Sequence, residues 1–528
     1  MIRISQLKLG IEESIDTLPI MVAKKLKLKV SDLLEFRIYK ESIDARRGSV
    51  SFVYTVDVEI KNSSEILNRN LPNVSLTPDL QYKMPEIKSE SPVNKPIVIG
   101  FGPAGMFASL LLAQCGYQPI VLERGSAVDE RVESIEEFWK HGILNKESNI
   151  QFGEGGAGTF SDGKLTTRVK DLRGRKVLEE LVRAGAPEEI LYMAHPHVGT
   201  DLLRGIVKNI RNQIINLGGK VFFNTKVSDF IIEENVISGV KTETGDTFYS
   251  NNVILAIGHS ARDTFNSLYN HKIDLVPKPF AVGARIEHPQ SLINKAQFKE
   301  FANHEKLGSA EYRLTHQASN GRGVYTFCMC PGGFVVPSSS EPEMVVTNGM
   351  SEHARNQTNA NSGLLVQIQV EDFESDHPLA GVEFQRNLES KAFQMGGRNY
   401  QAPAQLVKDF LANVASTKIG NVTPSYSIGV KLCNLHDLLP KVVCEAMVEA
   451  LQAFDKKLNG FALDDAVLTA VETRSSSPVR ITRTSDTLQS TNISGLYPCG
   501  EGAGFAGGIV SSAIDGLKCA ESLITNFV

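Results

Sequence analysis

The first sixty residues alternate hydrophobic and polar positions in short runs, which predicts a small module of strands with one helix. Residues 2–9 alternate as a strand does, and residues 12–28 carry apolar positions at helical spacing. The stretches "LLEFRIYKESI" and "SVSFVYTVDVEI" predict two strands around the turn "DARRGS". The following "LPNVSLTPDLQYKMPEIKSESPVNKP" is polar, has little periodicity and indicates a linker.

A complete strand–helix–strand unit follows, in "KPIVIGFGPAGMFASLLLAQCGYQPIVLERG". Residues 96–99 form a continuously apolar run typical of a buried strand, and residues 106–114 have the composition of a helix packed on a sheet. A second apolar run, residues 119–122, ends at Glu123. The unit predicts a parallel central sheet.

Two later passages belong to the same pattern. Residues 218–259 have the pattern of a meander of short strands that closes on an apolar strand at 253–257. Residues 278–463 are mixed and less regular. After them, "GLYPCGEGAGFAGGIVSSAIDG" predicts a strand, a glycine loop and a helix that begins near Ile509.

Three stretches match G-x-G-x-x-G, namely Gly100/Gly102/Gly105, Gly153/Gly155/Gly158 and Gly502/Gly504/Gly507. Only the first follows a strong strand, opens a helix and is followed about twenty residues later by an acidic strand end. There the glycines let backbone N–H groups approach a pyrophosphate at a helix N-terminus, while Glu123 accepts hydrogen bonds from ribose hydroxyls. The motif predicts a dinucleotide site. Because Glu123 disfavours a 2′-phosphate, FAD or NAD fits better than NADPH.

The C-terminal glycine loop favours FAD over NAD. It places the Glu501 carboxylate between glycines, just ahead of the helix near Ile509. A long cofactor that reaches from the first glycine turn to this second helix N-terminus explains both ends of the region, with Glu501 binding a polyol hydroxyl. FAD carries such a polyol in its ribityl chain.

The stretch "FGEGGAGTFSDGKLTT" has the phosphate-loop spacing at Gly158, Gly163 and Lys164, but Leu165 stands where a Mg²⁺-binding hydroxyl is needed. The segment also lacks an apolar strand before it and a strong helix after it. We therefore predict a flavin-facing loop, with Ser161 and Lys164 available to the polar edge of the ring. A plain surface charge is the alternative for Lys164.

Charge and hydropathy exclude several partners. The formal net charge is −5, and no Lys/Arg block is interleaved with aromatic residues, so nucleic acid is not an expected partner. The N-terminus lacks a secretory signal pattern, and no apolar run approaches about 18 residues. We expect a cytoplasmic protein without a membrane span.

Seven scattered cysteines indicate neither a disulfide framework nor a zinc site. Cys328 and Cys330 in "FCMCPGG" would share one face of a strand, and we expect buried thiols rather than a redox relay. His195 and His197 in "AHPHVG" lack partners at metal spacing and favour a structural or capping role.

A group of three arginines, Arg474, Arg480 and Arg483, lies in "ETRSSSPVRITR". With the serines, these cations could receive an anionic substrate or the FAD pyrophosphate. A solvated strand and loop is the other interpretation of this segment.

With these residues in hand, the sequence resembles the bacterial NAD(FAD)-utilising dehydrogenase family. This family belongs to the glutathione reductase-type FAD-binding superfamily and is related to aminoacetone oxidase-like and geranylgeranyl reductase-like flavoproteins. The resemblance runs through nearly all the chain after about residue 90. It lies in the three glycine-rich passages already quoted and in "HPHVGTDLL", "VILAIGHSARDTF", "FCMCPGGFVV", "VTNGMSEHARNQTNANS" and "VETRSSSPVRI".

The resemblance implies non-covalent FAD and a strand-rich domain inserted between two halves of the FAD domain. The cofactor-binding residues that it and the motifs indicate are Gly100, Gly102, Pro103, Ala104, Gly105, Glu123, Arg124, Gly156, Gly158, Ser161, Lys164, Val227, Ala256, Gly258, Gly500, Glu501, Gly508 and Ile509. Two positions depart from the wider superfamily, which often has Asp at position 501 and Thr at position 257. No catalytic residue is indicated.

The predicted fold is α/β, with a Rossmann-like FAD-binding domain, an inserted α+β substrate or cap domain and a ferredoxin-like N-terminal module. We expect the module and linker in residues 1–90, the FAD domain in 91–277 and 464–528, and the insertion in 278–463. The predicted function is hydride transfer between FAD and a small molecule, with NAD(P)H as a candidate reductant. The alternatives are a flavin-bearing sensor whose N-terminal module recruits a partner, and an NAD-only enzyme.

Overall fold

The computed structural model describes residues 1–87, 94–167 and 169–526. The predicted boundary between residues 90 and 91 and the last two residues of the predicted 464–528 segment lie outside the described residues.

The described part of the chain forms twelve α-helices and 23 strands. The helices are α1 Leu18–Leu26, α2 Ser63–Asn68, α3 Pro103–Gln114, α4 Val128–His141, α5 Arg173–Arg183, α6 Thr200–Asn216, α7 Arg262–Asn270, α8 Gln290–Phe298, α9 Ala380–Met395, α10 Val407–Leu411, α11 Lys441–Lys457 and α12 Ile509–Asn526. The strands are β1 Ile2–Gly10, β2 Leu33–Asp44, β3 Ser51–Ile60, β4 Val74–Leu76, β5 Ile97–Ile99, β6 Ile120–Leu122, β7 Lys220–Phe222, β8 Val227–Glu233, β9 Val236–Thr242, β10 Thr247–Tyr249, β11 Val253–Leu255, β12 Leu275–Pro277, β13 Phe280–Pro289, β14 Thr315–Gln317, β15 Gly323–Cys330, β16 Phe334–Pro337, β17 Thr347–Met350, β18 Asn359–Ile368, β19 Ala402–Leu406, β20 Val430–Leu432, β21 Val467–Glu472, β22 Val479–Ile481 and β23 Leu496–Pro498.

The N-terminal module is an antiparallel sheet in the order β2-β3-β1-β4, with α1 and α2 completing a β-α-β-β-α-β chain order. This is the connectivity of a ferredoxin-like unit. Alternate residues of β3, such as Phe52 and Val56, are buried in a core of the module. The backbone N–H of Glu41 donates to Tyr192 O and that of Ala194 donates to Glu41 O, both at 2.8 Å. The module therefore pairs with the loop that precedes α6.

The predicted strand–helix–strand unit forms the centre of a five-stranded parallel sheet in the order β23-β11-β5-β6-β7. Every residue of β5, β11 and β23 is buried, as continuously apolar parallel strands require. Two helices, α3 and α12, pack against each other over this sheet. Their close approach depends on Gly516, where an added Cβ would lie 2.1 Å from the Ala104 carbonyl oxygen.

A seven-stranded sheet in the order β14-β15-β18-β13-β21-β19-β20 forms the cap. Its central strand β13 alternates strictly between two buried faces. One face packs into a core shared with α9 and α11, and its apolar side chains are those of Phe280, Val282, Ala284 and Ile286. The opposite face carries Arg285 and Glu287, both fully buried. The cap therefore buries polar groups on the side away from its own core.

The cap sheet also takes a strand from beyond residue 463. Strand β21 pairs antiparallel with β13, Gly283 lying opposite Glu472. The predicted boundary between residues 463 and 464 falls before this strand and would assign β21 to the FAD domain. The apolar pattern of β21 does not show which of the two sheets the strand joins.

We predict that Gly516→Ala destabilises the protein by about 1–3 kcal/mol, because the new methyl group forces α3 and α12 apart. Urea unfolding of the purified protein measures the change. The matched control is Gly205→Ala inside α6, where an added Cβ meets nothing within 4 Å. There we expect a gain of up to about 1 kcal/mol from helix propensity. Equal effects of the two substitutions would contradict the packing argument.

Candidate functional site

A cavity of about 1600 Å³ lies between the parallel-sheet domain and the cap. Binding sites for one drug-sized ligand usually enclose roughly 300–1,000 Å³, so this space can hold a large cofactor together with a second molecule. Its floor comes from the first glycine turn, the loop 151–167 and the start of α12, and its roof comes from β15, β17 and the end of β21.

The first glycine turn brings three backbone segments into contact. Gly100 has a φ of +92°, and an added Cβ there would lie 2.4 Å from the Ala256 carbonyl oxygen. At Gly105 the corresponding contact is 2.0 Å from the Gly100 carbonyl oxygen. Helix α3 begins directly after Gly102, with Pro103 in its first turn. Its free N–H groups and the positive end of its dipole therefore border the cavity.

Glu123 is 4 % exposed at the end of β6 and joins three loops. One carboxylate oxygen accepts from the N–H of Phe101 at 2.7 Å, and the other accepts from the N–H groups of Gly125 and Gly153, both at 2.9 Å. A carboxylate offers about four acceptor positions, so these three bonds leave capacity for one more donor. Glu123 is both a structural anchor and a free acceptor for one hydroxyl.

The loop predicted to face a flavin lies between the two helix N-termini. Residues 156–160 form a short 3₁₀ turn. An added Cβ at Gly156, which has a φ of +60°, would lie 2.9 Å from the Gly102 Cα, and one at Gly158 would lie 3.0 Å from Ile509 Cγ1. The absence of side chains at these two positions lets the loop touch the first residues of α3 and α12 together.

Glu501 lies beside the start of α12, and its carboxylate accepts no hydrogen bond from any described residue. Burial raises the pKa of Glu501 to about 7, against the opposing charge of Lys278. An acceptor held in this way is available for the hydroxyl groups of a ligand.

A second charged cluster closes one side of the cavity. Glu311 from the cap lies 3.1 Å from Lys164 Nζ and 2.5 Å from His195 Nδ1. Although burial opposes ionisation, the hydrogen bond from His195 and the charge of Lys164 hold the pKa of Glu311 well below its usual range. Lys164 is therefore an ion-paired residue of the cavity wall.

A buried ion network joins the cap to the parallel-sheet domain. Arg262 at the start of α7 and Arg474 after β21 each bind both carboxylate oxygens of Glu389 on α9, at distances from 2.7 to 3.1 Å. Arg474 Nη1 also donates to Ser260 Oγ at 3.2 Å. All three charged side chains are at least nine-tenths buried.

The three arginines of "ETRSSSPVRITR" do not form one anion site. Arg474 lines the cavity, but Glu389 and serine hydroxyls use its donors. Arg480 and Arg483 both lie over the Phe505 ring, and Arg483 also forms a bidentate pair with Asp515. Carboxylates of the protein thus already bind Arg474 and Arg483.

The expectation of two buried thiols on one face is wrong for Cys328. A bulge between Phe327 and Cys330 disturbs the alternation of β15, and Cys328, with a φ of +42°, is exposed to the cavity. Cys330 is buried. His197 stacks on His353 at 5.2 Å, and its Nε2 lies 3.0 Å from the His353 carbonyl oxygen, a structural contact of the kind expected.

Of the predicted cofactor-binding residues, all line the cavity except Gly105 and Gly500. Gly105 packs on Gly100, and the N–H of Gly500 donates to Asp515 at 2.7 Å, so both shape the turns from behind. The sequence does not predict the cap residues that line the cavity. They include Tyr325 and Phe327 on β15, Asn348 on β17 and Glu472 on β21, and these three strands share no local motif. No helix in the described part of the chain has the length and hydropathy to cross a membrane.

Residues 279–475 match the family described as "FAD-dependent protein, C-terminal domain-like", and residues 1–59 match "Domain of unknown function (DUF8436)". The chain thus carries a domain of FAD-dependent proteins. It is 49% identical over 530 residues to a protein of Clostridium beijerinckii (strain ATCC 51743 / NCIMB 8052) described as "Uncharacterized protein", covering 100% of this chain and 99% of that one. The chain belongs to the family of that clostridial protein.

Three solved structures show a distant likeness. Glycine oxidase from Bacillus cereus ATCC 14579 is 13% identical, with a TM-score of 0.32 over 82% of this chain and 95% of that chain. L-proline dehydrogenase from P. horikoshii is 13% identical, with a TM-score of 0.34 over 82% and 93%. CtdE in complex with FAD is 9% identical, with a TM-score of 0.31 over 82% and 84%. At TM-scores below 0.5 these likenesses carry no inference about this chain.

We predict that Glu501→Gln removes a pH dependence from the stability of the flavin-free protein. The folded state holds the Glu501 proton up to about pH 7, while the ordinary value is 4.5, so the free energy of unfolding falls as pH rises through this window. The difference corresponds to about 3 kcal/mol. We expect the variant to be more stable than the wild type at pH 8 and to lose this advantage near pH 4.

Urea unfolding at both pH values measures this change. Glu133→Gln on the exposed face of α4 is the control and should leave the pH profile unchanged. A constant difference between the Glu501 variant and the wild type at the two pH values would contradict the role of burial.

Proposed function

We propose that the chain is an FAD-dependent oxidoreductase that holds FAD non-covalently in the cavity and acts on a small molecule beneath the cap. One observation carries the proposal: the N-terminal turns of α3 and α12 and the Glu123 carboxylate line a single cavity. A dinucleotide with a polyol linker requires these features together. The FAD-dependent domain match at residues 279–475 supports the same assignment.

The residues present fit the parts of FAD. The turn from Gly100 to α3 offers N–H groups for the pyrophosphate, and Glu123 retains one acceptor for a ribose hydroxyl. The Glu501 carboxylate accepts no hydrogen bond from the residues that the structure describes, so it suits the ribityl hydroxyls. An added Cβ at Gly102 would meet only the Gly156 Cα at 3.7 Å, so the backbone there lies open to the cofactor. FAD supplies hydride exchange when bound.

The remaining groups of the chain position the two ligands. Lys164, held by Glu311, keeps a cation in the wall beside the predicted flavin loop. The Glu389 network fixes the cap over the parallel-sheet domain, so the space for the substrate has defined walls.

NAD(P)H is a candidate reductant, and anaerobic mixing tests it. Bleaching of the visible flavin absorbance within seconds of adding NADH or NADPH supports turnover with a nicotinamide. If neither nucleotide and no metabolite in a screen reduces the flavin, the oxidoreductase proposal is wrong. Purified protein that is colourless and releases no FAD on heating would instead favour the NAD-only interpretation.

A flavin-bearing sensor is the second candidate, and the contact of the N-terminal module favours it. The backbone of Glu41 in β2 pairs with residues 192–194, and Ala194 and His195 line the cavity. A change at the cavity could therefore reach the module through backbone hydrogen bonds. Hydrogen exchange at residues 39–43 in oxidised and reduced protein tests this, because a sensor requires a redox-dependent change there.

We predict that Gly158→Val weakens FAD retention about tenfold. The valine side chain would press on Ile509 and Pro103 and move the loop away from the two helix N-termini, a strain of about 1–3 kcal/mol. Gly156→Val should act in the same direction, because its φ of +60° strains a β-branched residue.

The fraction of protein that retains FAD after gel filtration measures the effect. Gly205→Val on α6 is the control, since its added Cβ meets no atom within 4 Å. Full flavin occupancy in both loop variants would count against this placement of the loop.

A further inference from the structure

The polar face of the cap sheet turns toward the cavity and contains a buried ion pair. Arg285 on β13 is fully buried, and its Nε lies 2.7 Å from Glu472 Oε2 while its Nη2 donates to Glu472 Oε1 at 3.0 Å. Its other donors bind the Cys328 carbonyl oxygen at 2.8 Å and the side chains of Asn348 and Asn361 at 3.1 Å. The donors of Arg285 thus bind groups of the protein, and Arg285 itself does not line the cavity.

Glu472 stands between this arginine and the cavity. It is 3 % exposed and is one of the lining residues, whereas Arg285 is not. Arg285 lies against both carboxylate oxygens of Glu472, at 2.7 Å from Oε2 and 3.0 Å from Oε1. A carboxylate offers about four acceptor positions, so Glu472 retains capacity for a further donor from the cavity.

Two glycines make room for this cluster. An added Cβ at Gly363 on β18 would lie 2.8 Å from Glu472 Oε2. One at Gly349 on β17 would lie 2.4 Å from Asn361 Oδ1 and 2.6 Å from Arg285 Nη1. Neither glycine has a positive φ, so the neighbouring side chains, and not the backbone conformation, require their small size.

The wall beside Glu472 is aromatic and apolar. Tyr325 and Phe327 lie edge to face with ring centroids 6.3 Å apart, and both line the cavity with Met329. Burial and the nearby Glu472 carboxylate raise the pKa of Tyr325 to about 12. The hydroxyl group of Tyr325 therefore stays protonated at neutral pH.

We propose that Glu472, positioned by Arg285, is the substrate-recognition residue of the cap and accepts a hydrogen bond from an N–H or O–H group of a small substrate with an apolar or aromatic body. The body of this substrate lies against Tyr325, Phe327 and Met329. A carboxylate at the same position is rejected, because two anions would face each other in a site screened from water. This assignment deepens the proposed function and rests on it for the identity of the second ligand as a substrate.

The test uses three probes of one size: benzylamine, benzyl alcohol and benzoate. Saturation-transfer NMR and titration give their dissociation constants for the FAD-loaded and the FAD-stripped protein. We expect wild-type protein to bind benzylamine or benzyl alcohol at least about tenfold more tightly than benzoate. The relative affinity of benzylamine and benzyl alcohol then distinguishes an amine from an alcohol as the substrate class.

The substitution Glu472→Gln should abolish this discrimination, because it removes the negative charge and replaces one acceptor oxygen by an N–H donor. The matched control is Glu287→Gln. Glu287 is a buried carboxylate on the same face of β13 as Arg285, it accepts hydrogen bonds from Ser425 and Asn359, and it does not line the cavity. This control should leave all three dissociation constants unchanged.

Tight binding of benzoate to wild-type protein would overturn the assignment even if the Glu472 variant fails to fold. Unchanged discrimination in a folded Glu472→Gln protein would overturn it as well. A protein that retains no flavin but shows Glu472-dependent discrimination would contradict the proposed function alone.

Discussion

The burial of Glu389 between two arginines is the constraint on which the cavity depends. Arg262 belongs to the parallel-sheet domain, Glu389 to the cap, and Arg474 to the segment that returns from one to the other. Removing one partner from such a network typically costs about 3–5 kcal/mol, because it leaves a buried charge without compensation. The cap therefore has one favoured position on the parallel-sheet domain. That position sets the distance between the floor and the roof of the cavity.

The floor of the cavity could be predicted from the sequence because its signals are local. The turn at Gly100 lies between a strand and a helix that are both evident from their apolar runs, and Glu123 follows at the end of the next strand. Close contacts between backbone segments, such as that of Gly105 with Gly100, need only the glycines themselves. These features are encoded within about thirty residues of chain.

The roof could not be predicted in the same way. Arg285 and Glu472 are 187 residues apart in the chain, and no local motif around either residue indicates the other as its partner. Strand alternation indicates that Arg285 points away from the apolar face of β13, but not that the second face is buried. The sequence "FCMCPGG" does not indicate the bulge that exposes Cys328, because this bulge depends on how β15 pairs with β18. The segment "ETRSSSPVRITR" also does not show that Arg474 binds Glu389 and Arg483 binds Asp515, since both carboxylates come from other parts of the chain.

The pairing of distant strands also fixes the order in which the protein can be completed during synthesis. The N-terminal module contains all four of its strands within the first 76 residues, so it can form early. The cap sheet must wait for β21, and the parallel sheet must wait for β23, which pairs with β11. Two incomplete sheets with open strand edges therefore coexist until β21 is synthesised, and the parallel sheet stays incomplete until β23 follows. A nascent chain halted between β18 and β21 would carry both open edges, where another chain can pair, beside the N-terminal module.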